Sequence, residues 1–557
     1  MKVRISQCLL IILLVGLILP AHARTKLVVQ ITVDGLRADL LDRYQKGFGK
    51  SGFNYFKRKG VTYKNAHYSH ANTETIVGHS TLATGASPST HGMIGNAWYD
   101  EAAGSVIYNV EDANYPLLHE GESKSNETGL ESFDPSQKAI KSNGRSPNNL
   151  LVGTFSDGLQ GFYIGKSKVY AISGKDRGAI PLAGHGGKAL WYDAKTGNFV
   201  TSTYYYKDEP QWLSNWNNLG KPEKYADTQW TLSDKPDAYV LLNNDDRSFE
   251  VDLKGFGKVF PHAFGPKEHP LFYTRLLVSP AADRLTSDLA KTIVREEALG
   301  KDDVPDFLSV SFSGVDAVNH FFGPSSLENE VAVKELDKTL EDLFAFIDNE
   351  VGLDNVLLVL SADHGMADMP EAMALQGYPA GRVDHDSILL SANTFAKKTF
   401  GVESAFNTFF RPYLYVNKPA VKKKKVDVSV LIKLTSAYIS SLDGVYLAAP
   451  SRSKKTVGTT SVANQIANNH SPGRSGDIYV VQKPYWFLFE EKKVANMHGS
   501  PWKYDTHVPM MFAGEGIKAK TVHRLVRPRD IAPTMAAYLG ISLPAASQGE
   551  VLKEVMK

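Results

Sequence analysis

Four short runs of apolar, β-branched residues stand out along the chain. They are KLVVQITV (26–33), DFLSVSFS (306–313), NVLLVLSA (355–362) and HVPMMFAG (507–514). Their near-continuous apolar character is that of buried parallel strands, covered on both faces. Between the second and third runs the period changes. From Glu328 to Glu350, Val333, Leu336, Leu340, Leu343 and Ile347 recur at steps of three and four. That spacing places them on one face of an amphipathic helix. A second helix, DIAPTMAAYLG, is expected from Asp530, with Gly540 as its stop signal. Strand, helix and strand in alternation predict a layered α/β architecture with a mostly parallel sheet.

The remaining chain reads differently. Residues 100–290 are rich in Tyr, Trp, Asn, Gly and Ser and only weakly periodic, which predicts a large insertion or cap. Residues 400–490 read as a second insertion, and the lysine run 422–425 within it as a solvated face. At 557 residues the chain suits three or four ordinary domains, or one large α/β domain carrying insertions. No internal repeat interrupts it.

The first residues carry an address. Lys2 and Arg4 precede an apolar run from Cys8 to Leu19, Pro20 breaks it, and Ala21-His22-Ala23 fits a small-x-small cleavage site. The run is short of the roughly 20 residues a spanning helix needs. Residues 1–23 are therefore expected to be a cleaved signal peptide. The mature chain, 24–557, would be exported, to a periplasm, without a stable membrane anchor. Cleavage removes the only cysteine, so thiolate nucleophiles, thiolate metal ligands and disulfides are excluded. A net charge of +2 gives no electrostatic footprint for nucleic acid.

Candidate chemistry gathers where the apolar runs end. The first ends at Asp34, in VDGLRAD. The second leads into SGVDAVNH, with Asp316 and His320 four apart and on one face if helical. The third ends in SADHGM, at Asp363 and His364. Ligands of open α/β sheets bind beyond the carboxyl ends of the strands. Carboxylates and imidazoles converging there, without sulfur, suit zinc-like ions. Taken singly, an Asp after a strand is a common helix cap and a lone His a common core residue.

As a set, in order, VDGLRAD, TETIVGHSTLATGASPSTHGMIGN, GVDAVNH, SADHGM, HGSPWKYDTHVP and DIAPTMAAYLGI resemble the alkaline phosphatase superfamily. The likeness covers most of the core. It is to the branch with a threonine nucleophile, shared by nucleotide pyrophosphatase/phosphodiesterases and secreted bacterial monoesterases. The resemblance implies an alkaline-phosphatase-like three-layer α/β/α sandwich with large insertions. It implies Thr75, four residues before His79, as the nucleophile at a helix start, where free N–H groups favour anions. Thr73, Ser80 and Thr81 are then capping or packing residues. Two zinc ions per chain are implied, one held by Asp34, Asp363, His364 and Thr75, the other by Asp316, His320 and His498. His507 is a rival to His498, and the family pattern favours His498. Asn96 matches an asparagine that donates to a phosphoryl oxygen. Lys175 and Arg177, in SGKDRGAI, match a Lys-x-Arg pair that binds phosphoryl oxygens in the monoesterase group; by itself such a triplet is ordinary surface. The activity implied is hydrolysis of small phosphate monoesters through a phosphothreonine. A phosphodiesterase or nucleotide pyrophosphatase is the nearest alternative. A sulfatase lacks its C/S-x-P-x-R nucleophile motif here, and a non-catalytic metal-stabilised binding protein would have lost a ligand or the nucleophile.

Overall fold

The computed structural model describes residues 25–118, 134–452, 461–488 and 496–556. The expected signal peptide lies outside them. Nine strands form the central sheet: β1 (Leu27–Val33), β2 (Gly60–His67), β3 (Val169–Ser173), β4 (Lys188–Tyr192), β5 (Phe199–Val200), β6 (Asp306–Phe312), β7 (Val356–Ser361), β8 (His507–Ala513) and β9 (Lys520–Val522). Their spatial order is β9-β2-β8-β7-β1-β6-β3-β4-β5. All but β5 and β8 run in one direction.

Alternation along β1 explains the layering. Leu27, Val29, Ile31 and Val33 face one core, against α3 (Pro280–Glu296), α4 (Gly314–Phe322) and α5 (Leu327–Glu350). Val28 faces the opposite core, against α1 (Thr75–Thr84), α2 (Asp176–Ala183) and α6 (Ile531–Leu539). Successive strand side chains point to opposite faces, so burial at every position, Gln30 and Thr32 included, requires helices on both. The result is a three-layer α/β/α sandwich. Gly540 ends α6 in the left-handed conformation, φ +68°, as its sequence position predicts.

Two expectations need correction. The 507–514 strand is not parallel: β8 runs antiparallel to both β7 and β2. An unbroken apolar run reports burial on two faces, not direction. Residues 100–290 are not one peripheral insertion, because β3, α2 and β4 lie inside them and extend the central sheet beyond β6. Their strands, VYAIS and KALWY, are too short and too aromatic for a period to emerge. A second sheet is built from strands between Phe406 and Gln482. The strands Phe406–Phe410, Tyr413–Val416, Ile478–Gln482 and Val445–Pro450 pair antiparallel over a separate core, and Lys422–Lys425 are exposed. Among the described residues no helix is long and apolar enough to cross a membrane.

Two glycines set how closely the pieces approach. Gly35 follows β1 with φ +72°, and a Cβ there would lie 2.9 Å from Asp316 Oδ1. Gly78, on the first turn of α1, would place a Cβ 2.0 Å from the carbonyl oxygen of Asp363. Helix and strand end therefore touch through bare backbone. Gly78→Ala forces α1 off that strand end. Overpacking of this kind costs about 1–3 kcal/mol. A lowered melting temperature, together with loss of turnover, is the expected result; a variant with both unchanged would contradict the contact.

Candidate active site

Four adjacent parallel strands, β7, β1, β6 and β3, end on one edge of the sheet. Asp363 and His364 follow β7, Asp34 follows β1, Asp316 lies in the first turn of α4 after β6, and Lys175 follows β3. Asp34, Asp316, Asp363 and His364 are all fully buried. Gly35 N–H donates to Asp363 Oδ1 (3.1 Å), tying two strand ends together. Lys175 Nζ donates to Asp34 Oδ2 (2.7 Å) and Asp316 Oδ2 (2.5 Å).

Three imidazoles complete the cluster. His320 Nε2 lies 3.3 Å from Asp316 Oδ2, and His498 Nε2 lies 3.8 Å from Asp316 Oδ1. His364 Nε2 lies 3.3 Å from Asp34 Oδ1 and 3.4 Å from Asp363 Oδ2. Each ring turns Nδ1 to a backbone carbonyl: His320 to Asn496 (3.0 Å), His364 to Gly365 (2.7 Å) and His498 to Thr73 (2.7 Å). A carbonyl so engaged by Nδ1 fixes each ring's orientation and turns Nε2 toward the carboxylates, as in metal-ligating histidines. His507 lies elsewhere. Its Nε2 faces the carbonyl of Lys64 (3.0 Å) and its ring stacks on His67.

The donor set fits metal ions. Asp316, His320 and His498 offer ligand atoms within 4.8 Å of one another, and so do Asp34, Asp316 and His364. Asp363 flanks the second group. Five buried atoms here make no hydrogen bond: Asp34 Oδ1, Asp316 Oδ1, Asp363 Oδ2, His364 Nε2 and Thr75 Oγ1. Buried polar atoms are ordinarily paired, so a concentration of unpaired lone pairs calls for a cation. Electrostatics agree. Burial would raise the Asp316 carboxyl, but Lys175 and His320 hold it well below the usual range. Burial and Asp316 likewise push Asp34 up, and Lys175 and His364 pull it down further. Burial opposes charge on His364, yet Asp363 and Asp34 push it up to about 10. Burial and Asp34 raise Asp363, and burial and His364 lower His498, so the cluster balances buried acids against the cations beside them.

Thr75 opens α1, after Glu74 in extended backbone. Its neighbours are otherwise engaged. Thr73 Oγ1 donates to Ser500 O and accepts from Ser500 N–H (3.0 Å each), and Thr81 Oγ1 donates to Val77 O (2.8 Å). Ser80 Oγ also lacks a partner. It lies five residues on, about 140° around the helix from Thr75 and about 7.5 Å along it. Asn96 Oδ1 accepts from Ile76 N–H (3.1 Å), which leaves the amide NH2 as its free end. Asn96, Arg177, His320 and His498 line a cavity of about 90 Å³, together with Phe410, Leu488 and Met497. Arg177 Nη2 pairs with Asp134 Oδ2 (2.7 Å) and Nη1 donates to Tyr108 (3.3 Å).

Four residues escaped the sequence reading. His79 Nδ1 meets the carbonyl of Thr75 (2.9 Å) and lies 3.1 Å from Asp363 Oδ2, while its Nε2 meets Ser311 Oγ at 2.8 Å, which seats the ring beside the carboxylate. Glu74 accepts from Asn96 N–H (2.6 Å) and from Arg411 Nη2 (3.0 Å), and Arg411 Nη1 donates to the carbonyl of His498 (3.2 Å). Asp134 holds Arg177. His79 and Glu74 sit inside a recognised motif, a usable signal; Arg411 and Asp134 carry none.

Comparison with known proteins gives the same picture. The type I phosphodiesterase / nucleotide pyrophosphatase family matches residues 28–507. Alkaline phosphatase PhoV of Synechococcus elongatus is 33% identical over 544 residues, 96% of this chain and 94% of that one. The crystal structure of wild-type alkaline phosphatase PafA superposes with a TM-score of 0.87 at 29% identity, covering 96% of this chain and 99% of PafA. A PafA variant changed at a threonine, an asparagine, a lysine and an arginine superposes at 0.86, 28% identical, covering 96% and 99%. The chain belongs to the type I phosphodiesterase / nucleotide pyrophosphatase family, within the alkaline phosphatase superfamily.

Proposed function

We propose that the protein is a zinc-dependent, exported alkaline phosphatase that hydrolyses phosphate monoesters through a phosphothreonine on Thr75. The observation that carries this reading is one constellation. The unpartnered Thr75 hydroxyl, at a helix N-terminus, stands beside the carboxylate–imidazole cluster, with Lys175, Arg177 and Asn96 around it. The names of PhoV and PafA support it. So does the PafA variant, altered at a threonine and an asparagine spaced as Thr75 and Asn96 are, and at a lysine and an arginine spaced as Lys175 and Arg177 are.

Asp316, His320 and His498 would hold one ion, and Asp34, Asp363, His364 and Thr75 the other. Zinc bound there lowers the pKa of a coordinated hydroxyl or water and neutralises charge on the attacking and leaving oxygens. The chain's own groups do the rest. Thr75 Oγ1 attacks phosphorus, the P–O bond to the leaving alcohol breaks, and the phosphoryl group resides on Thr75. Water then attacks the phosphothreonine from the side the alcohol left, releasing phosphate and restoring the hydroxyl. The Asn96 amide, Lys175 ammonium and Arg177 guanidinium donate to the equatorial oxygens, where transition-state charge accumulates. Arg177 meets two oxygens with its planar fork, and Lys175 supplies a compact charge. Asp134 and Tyr108 fix the direction of that fork.

Three outcomes follow from this assignment. Chelation abolishes turnover, and about two equivalents of zinc restore it; a metal-free protein with full activity would end the two-metal account. Thr75→Ala loses nearly all hydrolysis and, because Oγ1 makes no hydrogen bond in the fold, keeps its melting temperature; Thr75→Ser retains part of the rate. Wild-type turnover in Thr75→Ala would move the nucleophile elsewhere. Lys175→Ala with Arg177→Ala lowers kcat/KM for an aryl phosphate by on the order of 10²–10³ per donor lost. The matching diester falls far less, since an ester group replaces the oxygen the pair would meet. Equal losses would reduce the pair to a structural role, and a wild type that prefers the diester would make the protein a phosphodiesterase.

A further inference from the structure

The residue at the N-cap of α1 does not cap that helix with its side chain. Glu74 stands there in extended backbone, and its carboxylate makes no bond to the first turn. Short polar side chains serve that role best. Here Asn96 takes it, its Oδ1 accepting from Ile76 N–H (3.1 Å). The Glu74 carboxylate reaches outward instead. Oε2 accepts from the Asn96 backbone N–H (2.6 Å), and Oε1 pairs with Arg411 Nη2 (3.0 Å). Arg411 comes from the turn between the strands Phe406–Phe410 and Tyr413–Val416 of the second sheet. Its Nη1 donates to the carbonyl of His498 (3.2 Å). Glu74, Asn96, Arg411 and His498 line one cavity.

Both ends of this chain of contacts are groups whose direction matters. The Asn96 backbone is held on each side, its N–H by Glu74 and its carbonyl by the N–H (3.3 Å) and side-chain amide of Asn109. With Oδ1 on Ile76, the Asn96 NH2 has one way to point. His498 is held at its carbonyl by Arg411 and at Nδ1 by Thr73 O (2.7 Å), which leaves Nε2 3.8 Å from Asp316 Oδ1. Two glycines let the ion pair in. A Cβ on Gly95 would lie 3.1 Å from Glu74 Oε2, and one on Gly499, φ +107°, would lie 3.4 Å from Arg411 Nη2. Glu74 is 8% exposed, a depth at which a carboxylate needs its partner. A planar fork with one arm on each neighbour fixes both their places, which a compact ammonium on a flexible stem does less well.

We infer that Arg411 is a positioning residue for phosphoryl transfer. It acts through Glu74 on the Asn96 amide, and through the His498 carbonyl on the imidazole beside Asp316, without touching substrate. The inference rests on the roles proposed above for Asn96 and His498. It makes the second sheet part of the catalytic apparatus, since one of its turns supplies the guanidinium.

The full-length, zinc-loaded enzyme with an aryl phosphate tests it. Arg411→Met alone leaves a buried carboxylate unpaired and can fail to fold, so the principal variant is Glu74→Gln/Arg411→Met, which removes both charges. Its kcat/KM should fall about 10–100-fold, the usual cost of losing a group that orients a ligand. In an Asn96→Ala background the same two changes should cost clearly less, because part of the damage passes through that amide. Zinc should pass to a chromophoric chelator faster from the double variant than from wild type, at an unchanged melting temperature. Arg411→Lys keeps a cation on Glu74 and should retain more of the rate than the double variant. Wild-type kcat/KM and zinc release in the double variant overturn the inference. So does a loss of rate matched by a fall in melting temperature, which assigns the pair a structural role. A loss undiminished in the Asn96→Ala background overturns it too, and is the outcome expected if Arg411 contacts substrate. Asn96→Ala turning over at the wild-type rate is a different failure: it removes the phosphoryl-donor reading of Asn96, and the inference with it.

Discussion

The fold is organised around buried negative charge. Asp34, Asp316 and Asp363 sit at the ends of three neighbouring parallel strands, all fully buried. Isolated carboxylates at such depth are strongly disfavoured, and their mutual repulsion adds to the penalty. They persist because positive charge is brought to them. Lys175 Nζ bridges Asp34 and Asp316, and His320, His364 and His498 crowd the remaining oxygens. The oxygens still unmatched define where metal ions belong. Catalysis then uses the same imbalance, since a phosphate dianion can approach such a site only when cations dominate it.

The sheet makes this geometry possible. Parallel strands end at a common edge, so the residue after each strand arrives within reach of its neighbours. Gly35 and Gly78 allow the approach to be closer than side chains would permit. Through Gly78, α1 rests on the backbone of Asp363, which puts the N-terminus of that helix, and Thr75 with it, beside the cluster. Glu74 extends the arrangement outward by joining the Asn96 loop and Arg411, whose other arm holds the backbone of His498. One ion pair thus links the helix that opens at Thr75 to the loop that carries His498, distant along the chain.

Much of this was legible in the sequence, for identifiable reasons. The strand runs announced themselves because burial on two faces leaves few polar positions, and the acids stood at or soon after their ends. The 23-residue stretch around α5 was readable because its apolar face repeats over many turns. What failed was whatever depends on partners distant in sequence. Lys175 looked like part of a cap because VYAIS is too short to show a period; only its pairing with β6 reveals it as a core strand end. The direction of β8 was hidden because burial has no polarity. Arg411 and Asp134 acquire meaning only beside Glu74 and Arg177. The family pattern already favoured His498 over His507; in the fold His498 lies against Asp316 and His507 beside β2.

The account turns on a covalent step at Thr75, and that step can be trapped. Wild-type protein mixed with an aryl phosphate and quenched rapidly in acid should yield, on proteolysis and mass spectrometry, a peptide spanning Thr75 heavier by one phosphoryl group. Fragmentation should assign that group to the Thr75 hydroxyl. Quenching from within turnover with no phosphopeptide accumulating under any substrate or pH, or a phosphoryl group on Thr73 or Ser80 instead, would contradict the central claim.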